Sequence, residues 1–401
     1  MKNILHVSYS KSGGAGRVAD QLSTTQAQMN DYSSKFIYAT KGSIRLNPFE
    51  NIPLTLRASL DNHLIKHRNW PTLFSVFRNT QNEKLHQSIM KHKDIVHLHW
   101  LGGVINLGNI LHYQNIGKKL IWTIHDMEPM TGGCHYSIEC KNFENSCGNC
   151  PAVNKIFIPK INKIKKSKNL IHSSLDKLTY VFPSKWLLEK FRVGVPNSSL
   201  NLEFVPNPLE RAFFIENSPK DRSDKNKFFV IGFVCRNLND PIKQFSSFLA
   251  AIQKLCQLTS TPIKIIAVGE KFKSPPRELN FMIEQPGVLS DQNKLIEFYA
   301  EMDVLVSNSF SESFGLTIAE AAASGVPSLV LEGSGSSELI INNETGFLFK
   351  DQTELISILL NIINSVSFRQ KIGENAKLFA VENWHIDKVI KKYDKLYENL
   401  Y

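Results

Sequence analysis

The amino-acid sequence predicts an α/β protein built from two doubly wound, Rossmann-like domains, and three observations carry that expectation. At 401 residues the chain exceeds the roughly 100–200 of one ordinary domain. Short apolar runs rich in Ile and Val alternate with helix-like stretches in both halves. The alternation breaks once near the middle, at Val205-Pro206-Asn207-Pro208 and the polar stretch 217–224, as a linker and a surface turn would.

The first half supplies Ile4 to Tyr9, Phe36 to Ala39, Ile95 to Trp100, Leu120 to Ile124 and Tyr180 to Phe182; the second supplies Phe228 to Val234, Ile263 to Val268, Val304 to Ser307 and Val326 to Leu331. Apolar runs this short read as buried parallel strands. The boundary falls near residue 210. The expected organisation is therefore a first domain over 1–209 with a Cys-rich insertion at 131–151, a second over 210–385, and a terminal helix over 386–401. In that helix Ile386, Val389, Ile390, Tyr393, Leu396 and Tyr397 recur at helical spacing and can bury one stripe.

Hydrophobic residues at 42% and charged residues at 21% describe an ordinary globular chain. No apolar run approaches the roughly 20 residues that span a bilayer, and the start is too polar to read as a signal peptide, so a cytoplasmic location is expected. A net charge of +10 favours anionic partners. The excess sharpens at Lys155, Lys160, Lys163, Lys165, Lys166 and Lys168. Without interleaved aromatics this stretch does not suggest nucleic acid. Two readings stay open for it, a solvated helix face and a peripheral contact with phosphates or an anionic membrane.

The most informative segment is Ser311-Glu312-Ser313-Phe314-Gly315-Leu316-Thr317-Ile318-Ala319-Glu320, which follows the strand Val304-Leu305-Val306 and opens an Ala-rich helix ending at Gly325. A strand, a glycine-containing loop and a helix N-terminus make an anion site, because free N–H groups and the positive dipole end face the ligand. Thr317 and Glu320 also fit a capping box, and Glu312 alone fits a solvated loop. Gly232-Phe233-Val234-Cys235-Arg236 ends a strand on a cation, and Lys243 opens the next helix. Gly13-Gly14-Ala15-Gly16 follows the first strand without dinucleotide-fingerprint spacing, and by itself fits a tight turn. His125 ends a strand in Trp122-Thr123-Ile124-His125-Asp126, and His97 and His99 share one strand face as core or supporting residues.

Over most of the chain the sequence resembles the retaining GT-B glycosyltransferases of family four, whose Glu-x7-Glu signature is matched by Glu312 and Glu320. The resemblance implies two Rossmann-like domains facing a central cleft. It implies that Glu312 contacts donor-sugar hydroxyls, that Glu320 contacts the ribose, and that the backbone at Phe314, Gly315 and Leu316 holds sugar and diphosphate. Arg236 and Lys243 would neutralise the diphosphate, Gly14 and Gly16 would let backbone approach the donor phosphate, and His125 would be the active-site histidine. Gln244 and Pro208 stand where relatives often carry Gly, which leaves loop geometry open.

The implied activity is transfer of a sugar from a nucleotide-sugar to a glycan or lipid-linked acceptor, in bacterial surface polysaccharide synthesis. Without an Asp-x-Asp motif beside the donor loop, no metal cofactor is expected for catalysis. The alternatives are an epimerase or phosphorylase on the same architecture and a sugar-nucleotide-binding protein without turnover. Cys134, Cys140, Cys147 and Cys150 lie within 17 residues, in a segment resembling an insertion of colanic-acid-type transferases. A structural zinc, free thiols and a disulfide all remain open for them.

Overall fold

The computed structural model describes residues 1–39, 70–71, 73–75, 82–215, 228–274, 278–289 and 291–400. The polar stretch 217–224 lies outside the described residues. The chain divides into two units, Met1–Pro208 with Val389–Tyr401, and Leu209–Lys388.

The first unit contains β1 (Lys2–Ser8), α1 (Gly13–Ala27), β2 (Tyr32–Tyr38), α2 (Glu83–Lys91), β3 (Ile95–Leu98), α3 (Leu107–Asn115), β4 (Lys119–Thr123), α4 (Ile158–His172), β5 (Thr179–Phe182), α5 (Lys185–Gly194) and β6 (Asn201–Phe204). All six strands pair in parallel in the order β2-β1-β3-β4-β5-β6. Most of the apolar runs are buried strands as expected, β3 and β5 at every position; the exception is Phe36 to Ala39, at the end of the edge strand β2, where no residue is fully buried and Tyr38 is exposed. Parallel strands covered on both faces have no solvent side to fill with polar residues. The chain's last segment belongs to this unit. Tyr393 Oη lies 2.9 Å from Thr123 Oγ1, Tyr397 Oη lies 2.8 Å from His97 Nδ1, and Lys2 Nζ donates to Asp394 at 2.8 Å.

The second unit contains β7 (Phe229–Asn237), α6 (Phe245–Leu255), β8 (Ile263–Glu270), β9 (Met282–Gly287), α7 (Gln292–Glu301), β10 (Val304–Ser307), α8 (Leu316–Ala323), β11 (Ser328–Leu331), β12 (Gly346–Phe349), α9 (Gln352–Ile363), α10 (Val366–Trp384) and the start of α11 (Ile386–Glu398). Its strands are also parallel, ordered β12-β11-β10-β7-β8-β9. Apolar clusters cover both faces, one around Ile231, Phe248 and Leu359, the other around Ile266, Ile318 and Trp384. Gly232 is required where the strand passes α7's end, since a Cβ there would sit 2.1 Å from Met302 Sδ.

In each sheet the strand order reverses once, between β1 and β3 in the first and between β7 and β10 in the second. Open α/β sheets bind ligands beyond the carboxyl ends of strands at such switch points. The loops that follow β1, β4, β7 and β10 carry most of the candidate residues. Among the described residues no helix is long and apolar enough to cross a membrane.

Candidate functional site

In the second unit the loop after β10 and the turn after β7 are tied together by backbone. Phe310 N donates to the Ile242 carbonyl at 3.3 Å, and Asn308 Nδ2 donates to the Gln244 carbonyl at 3.2 Å. This brings together two residues separated by 69 positions: Lys243 Nζ donates to Glu312 Oε1. Burial opposes the Lys243 charge, yet Glu312 outweighs it, so the ammonium titrates above its ordinary range. Arg236, near the end of β7, is exposed.

Helix α8 starts at Gly315, whose φ of 102° is left-handed and whose missing Cβ would sit 2.9 Å from Ile318 Cδ1. No side chain caps this helix, so its first N–H groups lack a side-chain acceptor. The capping box fitted to Thr317 and Glu320 does not form. Thr317 lies inside the first turn, and Glu320, fully buried, instead accepts from Tyr299 Oη at 2.8 Å. A buried carboxylate needs such a donor more than an exposed helix end needs a cap. Phe314 is buried edge-on against Trp384, and Leu316 is half-buried. Gln244 adopts a left-handed φ of 52°, which accounts physically for Gly being favoured there.

In the first unit Gly14 and Gly16 stand in the first turn of α1 rather than in a free loop. Gly14 is exposed, whereas a Cβ on Gly16 would collide with the Ser10 carbonyl at 2.3 Å. His125 follows β4 and lines a cavity of about 400 Å³ with His99, Trp100, Asp126 and His135. Behind it lie His6, His97 and His99, fully buried, with ligand-type nitrogens within 4.8 Å of one another. Burial pushes all of them down: His6 and His125 to about 4, His97 and His99 well below their usual range.

The cavity also holds groups that sequence reasoning passed over. Asp126 accepts from Trp100 Nε1 at 2.8 Å, from the Glu128 N–H at 2.9 Å and from His135 Nδ1 at 2.7 Å. Burial works against this carboxylate, but His135 and the other donors hold it below the usual range. His135 Nε2 lies 2.8 Å from Ser75 Oγ. Adjacency of His125 and Asp126 was the available signal, whereas the reach of Ser75 to His135 over 60 positions has none.

The basic stretch divides on α4. Lys165 is fully buried, donating to Asn169 Oδ1 at 2.8 Å and to the Gly194 carbonyl, and Lys168 donates to Glu128 Oε1 at 2.6 Å. Neither therefore fits a solvated face or a membrane contact. Lys155, Lys160, Lys163 and Lys166 are exposed. None of the four clustered cysteines is in a disulfide. Burial raises Cys134, Cys147 and Cys150, the last to about 11.

Residues 214–379 match the family described as glycosyl transferases group 1. Over 332 residues the chain is 22% identical to the putative colanic acid biosynthesis glycosyl transferase WcaC of Escherichia coli, covering 78% of this chain and 76% of that one. It is 25% identical to the N-acetyl-alpha-D-glucosaminyl L-malate synthase of Bacillus anthracis over 39% of this chain, spanning 42% of that relative's length. Its fold matches the crystal structure of Anabaena Alr3699/HepE in complex with UDP, at a TM-score of 0.65 and 15% identity over all of both chains. Two parallel Rossmann-like sheets and this match give the GT-B fold class. Arg236, Lys243, Glu312 and Glu320 all lie within residues 214–379, the part of the chain that matches the glycosyl transferases group 1 family.

Proposed function

We propose that the protein is a retaining glycosyltransferase that moves a sugar from a nucleotide-sugar to a glycan or lipid-linked acceptor in surface polysaccharide synthesis. The observation that carries this reading is the Lys243–Glu312 pair, held beside a helix N-terminus that no side chain caps and within the same unit as the exposed Arg236. Cations and free N–H groups suit the diphosphate, which gains negative charge as the glycosidic bond breaks. The Glu312 carboxylate suits sugar hydroxyls, which donate to it. The UDP bound by the Anabaena structure and the polysaccharide pathway named for the Escherichia coli relative support the donor and the setting.

Departure of the diphosphate leaves an oxocarbenium-like sugar. With Glu312 on donor hydroxyls, the acceptor attacks from the face the leaving group vacates, and the donor's anomeric configuration is kept. His125 orients the reacting sugar. No metal step is needed in this scheme. Incubation with UDP-, GDP- and ADP-sugars, following nucleoside diphosphate release and the anomeric proton of the product by NMR, tests it. An inverted product overturns the mechanism; no release with any donor and a range of acceptors overturns the reading.

For Cys134, Cys140, Cys147 and Cys150 the proposal is a structural zinc. Bound zinc would hold these cysteines as thiolates against the burial that raises Cys134, Cys147 and Cys150. Zinc content of the purified protein decides: less than about half an equivalent, with the four thiols titratable, removes the proposal.

A further inference from the structure

The rings behind His125 form an ordered chain. Gln26 Oε1 lies 2.8 Å from His6 Nε2, His6 Nδ1 lies 3.0 Å from His99 Nε2, and His99 Nδ1 lies 3.3 Å from His125 Nε2. A neutral imidazole carries one N–H, and the nitrogen that bears it is set by the bond the other makes. Gln26 faces His6 with its carbonyl oxygen, which also accepts from Ser34 Oγ at 3.1 Å, while its amide nitrogen points to Tyr397 Oη at 3.4 Å.

That one acceptor propagates along the whole chain. His6 must carry its proton on Nε2 to donate to Gln26, so its Nδ1 is an acceptor. His99 then donates through Nε2 and accepts through Nδ1, and His125 donates through Nε2. His97 stands outside this chain, its nitrogens 2.8 Å from Tyr397 Oη and Thr123 Oγ1. Gln26, His6 and His99 are buried, so water does not compete along the route.

We propose that Gln26, His6 and His99 are positioning residues that hold His125 as its Nε2–H tautomer and leave Nδ1 an obligate acceptor for a substrate hydroxyl. The hydroxyl recognition rests on the role given to His125 above; the tautomer does not. A hydroxyl-bearing sugar or acceptor then donates to His125, and a ligand carbonyl or ether oxygen in that place is rejected because it meets a lone pair. Burial also keeps the relay neutral at ordinary pH.

Protein labelled with ¹⁵N-histidine reports the tautomer directly through long-range ¹H–¹⁵N correlation at pH 7, with His125 assigned by its disappearance in His125→Ala. Wild type is expected to show the proton on Nε2 of His125. Gln26→Met, which keeps the volume and removes the acceptor, is expected to shift His125 toward the other tautomer. The same variant is expected to lower kcat at least about tenfold with donor KM unchanged, and Gln26→Glu to restore both. A His125 proton on Nδ1 in wild type overturns the relay with no variant needed, as does an unchanged His125 tautomer in folded Gln26→Met. If wild type transfers no sugar but shows the Nε2–H form, the functional reading fails and the relay stands.

Discussion

Acidification from pH 7 to pH 5 should strip stability from the first unit, and the size of the loss follows from two histidines. His6 is fully buried between Gln26 and His99, and burial pushes it down to about 4. His172 is fully buried with Nδ1 2.8 Å from Tyr180 Oη and Nε2 3.0 Å from the Pro129 carbonyl, and burial pushes it down to about 3. Their folded values lie below the unfolded value of 6.5, so below pH 6.5 the unfolded chain binds the extra protons. Stability is therefore complete above about pH 6.5 and falls as pH drops toward the folded values. At pH 5 each residue costs about 2 kcal/mol relative to pH 7, about 4 kcal/mol together. His97 and His99 act in the same direction. Asp126, held below its ordinary value of 3.8, contributes only in stronger acid. Trp70, Trp100, Trp122 and Trp186 belong to the first unit against Trp384 in the second, so tryptophan fluorescence reports mainly the unit concerned. With a urea slope of about 2 kcal/mol/M, the midpoint should fall by about 2 M between pH 7 and pH 5. An unchanged midpoint would refute the neutral, buried histidine network.

Gly315→Ala should lower the stability of the second unit by at least about 1 kcal/mol in a thermal or urea melt, because the position needs a left-handed φ and has no room for Cβ. Glu312→Ala leaves the Lys243 ammonium without its partner and should cost about 1–3 kcal/mol in the same melts as well as turnover, whereas Arg236→Ala should cost donor affinity with little change in stability. Cosedimentation should show salt-sensitive binding to anionic over neutral vesicles through the exposed Lys155, Lys160, Lys163 and Lys166, and equal binding to both would count against a peripheral membrane contact.

The buried central strands were legible because a parallel strand covered on both faces leaves a continuous apolar signature, as in Ile95 to Leu98. Two edge strands were not: Asn201–Phe204 and Met282–Gly287 have no fully buried residue and so carry no such signature. At the candidate site, Glu312 and Lys243 were legible through the family resemblance, and the structure pairs them. Glu320 was harder to read, since a Glu three residues after a Thr fits a cap equally well until Tyr299 appears beside it. The division of the lysines on α4 was hidden because composition counts charge and not direction: Lys165 reaches the Gly194 carbonyl on another helix. The histidine chain was illegible for the same reason, as Gln26, His6, His99 and His125 come from four separate segments that meet only when the sheet order is known.

The proposed binding of a nucleotide-sugar by the second unit through Lys243 and Glu312 is tested most directly by titration calorimetry of the whole protein with UDP-, GDP- and ADP-sugars. Saturable, chelator-insensitive binding of at least one donor to wild type is expected. Folded Lys243→Ala should bind that donor at least about tenfold more weakly, the loss of one charge-assisted contact of about 1.5–3 kcal/mol. Equal affinity in Lys243→Ala, or no heat with any donor, would contradict it.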